Sequence, residues 1–278
     1  MADDFPPRPA DHPVSRVLTL QRLAGQLQKL ERNSHPVGDS SGVISSGMDV
    51  LDRLLPDAGF RAGSLIEWMA EKGSADQLAL LAARSALEDR AALGEDRVLI
   101  VIDDEETLYP PAAAALGIDL RRLILVRPGK IARREVQVEM VKRSPSAPAK
   151  TTGVETLWAL EQALASRGVA VTFCRLEKLS AKVFRRLQLA AERGRGLGFL
   201  IRPHTARGEP SWSDVRFGIE AMSEGDSSSA RRWRVEVLRC RRGAAGERFA
   251  LLEYDDATNT VRPIAPTLPA AAPRRARA

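Results

Sequence analysis

The sequence predicts an α/β protein with a mostly parallel twisted sheet flanked by helices, an antiparallel C-terminal strand extension and an N-terminal helix. Three observations carry that expectation. First, the short apolar runs Ser64–Trp68, Arg97–Asp103, Leu123–Val126, Ala170–Arg175 and Leu197–Ile201 alternate with helical patterns, as strands buried on both faces do. Second, the helical patterns stop after Pro203. Strand-like runs Asp214–Met222, Arg231–Arg239 and Arg248–Tyr254 then follow across polar turns. Third, Leu20, Leu23, Leu27 and Leu30 recur at helical spacing within Val14–Asn33, with Arg16, Arg22, Gln26, Lys29 and Arg32 off that stripe.

In chain order, residues 1–13 are Pro-rich and aperiodic and are expected to be disordered. Residues 14–42 hold the leucine-striped helix and a Ser/Gly/Pro linker. The core is expected over 43–261. Ser74-x-x-Gln77 has the form of a capping box, and the almost wholly apolar Leu78–Ala91 after it predicts a buried helix. Tyr109-Pro110-Pro111 opens a helix that Gly117 ends. Thr156–Ser166 and Ala181–Arg193 complete the helices. Residues 127–153 carry seven basic side chains against Glu135 and Glu139 and end Ser/Pro/Ala-rich, the composition of an inserted loop. Residues 262–278 are a Pro/Ala/Arg stretch, expected to be a disordered basic tail.

Composition narrows the function classes. With 278 residues and 44% hydrophobic content there is enough for one large core. No uninterrupted apolar run of about 18 residues occurs, so no membrane span is expected. The acidic, Pro-rich start lacks the layout of a secretion signal. Two cysteines, Cys174 and Cys240, and three scattered histidines, His12, His35 and His204, indicate neither a disulfide framework nor a metal centre. A cytoplasmic protein is the expectation. The net charge of +6 is compatible with nucleic acid, although an Arg-rich, Lys-poor balance is also what a GC-rich genome gives any protein.

Ile44–Trp68 (ISSGMDVLDRLLPDAGFRAGSLIEW) places Ser46-Gly47 before a short helix with Leu51 and Asp52, then a Gly59/Gly63 turn, then the first apolar strand. This resembles the opening of the ATPase core of RecA-type recombinases. There, a phosphate-binding loop G-x-x-x-x-G-K-[ST] comes next. Here the corresponding stretch is Ala70-Glu71-Lys72-Gly73-Ser74-Ala75-Asp76-Gln77. Ala75 stands at the lysine position and Asp76 at the position of the magnesium-binding hydroxyl. The resemblance continues through Ile102–Pro110 and Leu116–Asp119. It implies that Glu105 matches the glutamate that polarises the attacking water, and that the carboxylate closing the Walker B strand falls at Cys174 or Arg175. The expectation is therefore a degenerate ATPase site with Glu105 as a remnant, no enzymatic activity, and no bound cofactor. ATP with magnesium stays open only if Lys72 or Lys178 replaces the missing lysine.

Glu155–Leu164, Arg185–Glu192 and Gly198–Pro203 (the RRLQLAAE and GFLIRP blocks) are similar to the ImuA family, RecA-like and sometimes SulA-like proteins of bacterial mutagenesis cassettes. The similarity spans about Ile44–Pro203 and, more loosely, the basic strand Arg231–Gly243. It implies a non-catalytic accessory or adaptor protein in SOS-linked, error-prone translesion DNA synthesis. The implied partners are an ImuB-type polymerase-like protein, RecA and DNA. Two alternatives stay open: a RecA-type ATP-binding or ATPase protein with a degenerate loop, and a stand-alone DNA-binding or cell-division regulator.

The interaction residues read from the chain itself are of two kinds. Leu20, Leu23, Leu27 and Leu30 fit either a helix laid against the chain's own core or a helix that docks a partner, and are the candidates for partner docking. Arg231, Arg232, Arg234, Arg239, Arg241 and Arg242, grouped around Trp233, are candidates for phosphate contacts. Strand alternation turns Trp233, Val235 and Val237 inward and leaves Arg241-Arg242-Gly243 as an exposed basic turn. Aromatics make up only 5% of the chain, so DNA binding is expected to be phosphate-dominated and salt-dependent.

Overall fold

The computed structural model describes residues 42–71, 75–128, 153–222, 231–243 and 248–264. The Leu20–Leu30 stripe, Lys72, Gly73, Ser74 and most of 127–153 lie outside them. Strands β1 (Val43–Ile44) and β2 (Phe60–Arg61) pair antiparallel around the short helix α1 (Asp49–Arg53). The buried Asp52 accepts the Ser46 amide at 3.0 Å and the Ser45 hydroxyl at 2.7 Å, fixing the turn that starts the core. Gly47 sits there at φ +73 with Ser85 against it, and a Cβ would approach the Ser85 side chain to 2.8 Å.

Among the described residues the main sheet has nine strands. β3 (Leu65–Ala70), β4 (Val98–Ile102), β5 (Leu123–Val126), β6 (Val169–Arg175), β7 (Leu197–Pro203) and β8 (Val215–Met222) run parallel. β9 (Arg231–Cys240), β10 (Phe249–Asp255) and β11 (Thr260–Pro263) continue antiparallel. The order is β5-β4-β6-β7-β3-β8-β9-β10-β11. This is a mixed α/β architecture with a large, mostly parallel sheet.

Two expectations are corrected. The first strand after Pro203, β8, is parallel to β3 rather than part of an antiparallel extension. Residues 204–214 carry the chain back along the sheet through a 3₁₀ turn at His204–Gly208, so β8 restarts at the same end as β3. Residues 262–264 are also ordered rather than the start of a disordered tail. Arg262 and Pro263 belong to β11, opposite Glu253 and Leu252, and the Ile264 amide donates to the Leu251 carbonyl at 2.9 Å.

Helices cover both faces. Helix α2 (Asp76–Ala92) buries Leu78–Ala83 and Ala86–Leu87 with Ile66, Trp68, Val101 and Phe173. Ala75 holds its N-cap position, and no side chain caps it. Trp68 meets Phe199 and Phe217 at ring separations of 5.3 and 5.2 Å. On the other face, α4 (Val154–Ala165) and α5 (Ala181–Gly194) pack Leu160, Leu164, Phe184 and Leu187 with Leu65, Ile100 and Leu200. The short helix α3 (Pro110–Ala115) starts on its prolines, and Gly117 follows it at φ +88.

Candidate functional site

Residues 71–75 link the C-terminal end of β3 to the start of α2, where a phosphate-binding loop would lie. The side chain of Asp76 is only 16% exposed, and its Oδ1 meets Nη2 of Arg175 at 2.8 Å. Burial pushes the Asp76 carboxyl above its ordinary value, and Arg175 opposes that rise. The next residue, Gln77, accepts a hydrogen bond from Arg231 at 2.6 Å. So the two positions expected to serve the metal, Asp76 and the end of β6, are paired with each other by charge.

The geometry also separates the two candidates at the end of β6. Cys174 is buried in the cluster under α4 and α5, and burial, with Asp104 and Asp103 nearby, pushes its thiol up. Arg175 is the residue that reaches the loop side. Glu105 is exposed in the turn after β4. Asp103, at the head of that turn, is buried and accepts the Thr107 and Leu108 amides at 2.8 and 3.0 Å and Arg127 at 3.4 Å. Lys178 is exposed between β6 and α5.

The six arginines of the β9 region do not share one surface. β9 is ten residues long, so at about 3.3 Å per residue its ends are ~30 Å apart. Arg231 and Arg232 lie at the loop end of the sheet, opposite Tyr254 and Glu253. Arg241 and Arg242 leave the strand at the other end, beside Asp214. Several are engaged. Arg231 binds Asp256 at 2.8 Å and lies over Tyr254, while Arg232 meets Glu253 at 2.5 Å. Arg234 lies between Glu220 and Glu236 with its guanidinium over Phe249, and Arg239 donates to the Ser211 carbonyl. Trp233, Val235 and Val237 face inward, as alternation requires.

One polar constellation was not anticipated. Glu67, at 0% exposure in the central strand, accepts Arg202 at 2.9 Å, Arg216 at 2.8 Å, Ser211 at 2.5 Å and Ser213 at 2.8 Å. Burial alone would raise its pKa, but the hydrogen bonds from Arg216, Ser211 and Arg202 outweigh it and hold the carboxyl below its usual range. Arg202 reaches on to the Glu177 carbonyl and Glu209, and Arg216 to the carbonyls of Arg207 and Glu209. The network ties β3, β7 and β8 to residues 204–213. Its signal in the sequence was a lone carboxylate in an apolar strand and a lone arginine in another, because buried charges are retained only when paired.

Among the described residues no cluster of three or more His, Cys, Asp or Glu could hold a metal, and no helix is long and apolar enough to cross a membrane. Fold and site define a mixed α/β protein in which Asp76, at the start of α2, is paired with Arg175, at the end of β6. No protein-family profile matches the chain. It is 30% identical over 222 residues to Protein ImuA of Caulobacter vibrioides, in two strains, covering 73% of this chain and 81% of that protein. It is also 39% identical over 67 residues to the cell division inhibitor SulA of Photorhabdus laumondii, covering 24% of this chain and 38% of that protein. The chain belongs to the ImuA family.

Proposed function

We propose that the chain is a non-catalytic, RecA-like accessory protein of error-prone translesion synthesis that works beside an ImuB-type polymerase-like protein. The observation that carries the non-catalytic part is the Asp76–Arg175 ion pair. Phosphoryl transfer depends on positioned cations and a metal ion around the phosphates. In this reading a carboxylate, Asp76, stands where the metal-binding hydroxyl would be, and its charge is answered by a guanidinium rather than by a metal. These residues do not fit a magnesium–triphosphate. The order of the parallel strands, with β7 between β3 and β6, is consistent with a RecA-type core. Family membership supports the link to a mutagenesis cassette. In this reading the Leu20–Leu30 stripe docks the polymerase-like partner, and RecA and DNA are further partners.

Calorimetric titration with ATP and a non-hydrolysable analogue in the presence of magnesium tests the first part. No heat is expected at high protein concentration, and micromolar binding would overturn the non-catalytic reading. Co-expression with the polymerase-like protein tests the second part. Leu23→Asp with Leu27→Asp should abolish co-purification while the unfolding transition stays put; unchanged co-purification removes that stripe from the interface. The SulA similarity favours one competing reading, a stand-alone regulator of cell division. That reading gains if the chain shows no affinity for a polymerase-like partner.

A further inference from the structure

The end of the sheet opposite residues 71–75 holds a cavity of about 510 Å³. Neighbouring turns build it. Arg61 closes β2, Ala62-Gly63-Ser64 leads into β3, Arg195 follows α5, Asp214 enters β8, and Arg241 and Arg242 leave β9. Four guanidinium groups line it against two carboxylates, Glu192 and Asp214. Asp57, outside the cavity, holds Arg61 at 2.7 Å. Arg241 approaches Asp214 only to 3.8 Å, and Asp214 also accepts the Leu65 amide. Arg195 and Arg242 form no ion pair within 4.0 Å among the described residues. The cavity therefore keeps cationic capacity that its own carboxylates do not absorb.

The backbone under it is tightly built. The Gly63 amide, at φ +85, donates to the Gly196 carbonyl at 2.9 Å and pins two of the turns together. A Cβ at Gly194 would come within 2.0 Å of the Leu164 carbonyl oxygen, and one at Gly196 within 2.5 Å of that of Val169. Between these glycines stands Arg195 in the left-handed conformation, φ +63. That position after a helix favours glycine. An exposed arginine held at such a position, with its side chain on the cavity, points to a use for the charge rather than for the turn.

We propose that this cavity binds the phosphate backbone of a nucleic-acid strand, with Arg195, Arg241 and Arg242 as the principal contacts and Arg61 at its edge. Guanidinium forks match phosphate oxygens in charge and geometry. Among the described residues no aromatic side chain lines the cavity, so the contacts they offer are to phosphate and are indifferent to sequence. An acidic polypeptide fits less well. Among the described residues Ala62 is the only apolar side chain in the lining, whereas protein partners need an apolar centre to bury. The site is separate from the loop at residues 71–75, and the proposal rests on the reading above in taking DNA as a partner of the chain.

The test uses the full chain and fluorescein-labelled oligothymidylate of about 20 nucleotides, followed by anisotropy between about 50 and 200 mM salt. Arg195→Gly relieves the left-handed strain, so thermal unfolding should occur at the same temperature or higher, while binding at the lowest salt weakens about 5-fold or more. Arg241→Gln with Arg242→Gln should weaken it further and reduce the log–log salt slope by about 1.4, or about 0.7 per lost phosphate contact. Arg121→Gln, an exposed arginine elsewhere, should bind as wild type does. The proposal fails if wild type does not bind, or if the cavity variants match it at every salt concentration. It also fails if polyglutamate of matched charge displaces the oligonucleotide as well as unlabelled oligonucleotide does.

Discussion

Replacing Glu67 by glutamine keeps the shape of the side chain and removes one buried charge. Two guanidinium groups depend on it: Arg202, with side-chain exposure of 0%, and Arg216, at 6%. Neither can turn to water without opening the loop 204–213, which Arg216 holds through the carbonyls of Arg207 and Glu209 and Arg202 through the Glu209 carboxylate. Breaking a buried pair by removing one partner costs about 3–5 kcal/mol, a large share of the ~5–15 kcal/mol that holds a domain folded. At about 2–4 °C per kcal/mol, thermal unfolding of Glu67→Gln should fall by ~6–20 °C. The pH dependence gives a second reading. The folded-state pKa of Glu67 is depressed, so its contribution is complete above the ordinary glutamate value of 4.5 and is lost as pH falls through the lower folded value. Wild type should lose stability in that acid window, and Glu67→Gln should lack that component. A measured loss below about 1 kcal/mol, the size of an exposed pair, together with an unchanged acid profile, would refute the argument that the network is a closed, desolvated unit.

Two further outcomes follow from the same coordinates. Arg175→Met leaves the mostly buried Asp76 without its counter-charge, and the variant should be less stable by about 1–2 kcal/mol near neutral pH. A raised carboxyl favours the folded state when protonated, so this deficit should shrink as pH falls through the variant's Asp76 pKa; chemical denaturation at two pH values checks both size and sign. Gly194→Ala drives a Cβ into the Leu164 carbonyl oxygen where α5 ends against α4. Because the obstacle is backbone, the cost should reach about 2–3 kcal/mol, and a loss under ~0.5 kcal/mol would mean that the two helices slide apart freely.

What the sequence revealed and what it hid divide along a physical line. Apolar runs and helical periodicity are local properties, so the sheet strands Leu65–Ala70 through Leu197–Pro203, and the helices between them, emerge within a few residues of their expected bounds. The direction of β8 is not local. It is set by where residues 204–214 deliver the chain, and nothing in their composition states that. The arginines from 231 to 242 look like one patch because they are neighbours in sequence, but an extended strand separates the ends of its own sequence more than any other regular element does. Arg231 therefore reaches Gln77 at one end of the sheet, while Arg241 lies over Asp214 at the other. The same extension brings together residues that are remote in sequence. Arg195 and Arg61 join Arg241 because a helix end, a hairpin and a strand end meet at one sheet edge. Asp76 and Arg175 pair because β3 and β6, with β7 between them, end side by side. In a parallel sheet all strand ends of one polarity share an edge. Candidate sites in such a chain are therefore better sought by listing the residues that end each strand than by looking for charge runs along the sequence.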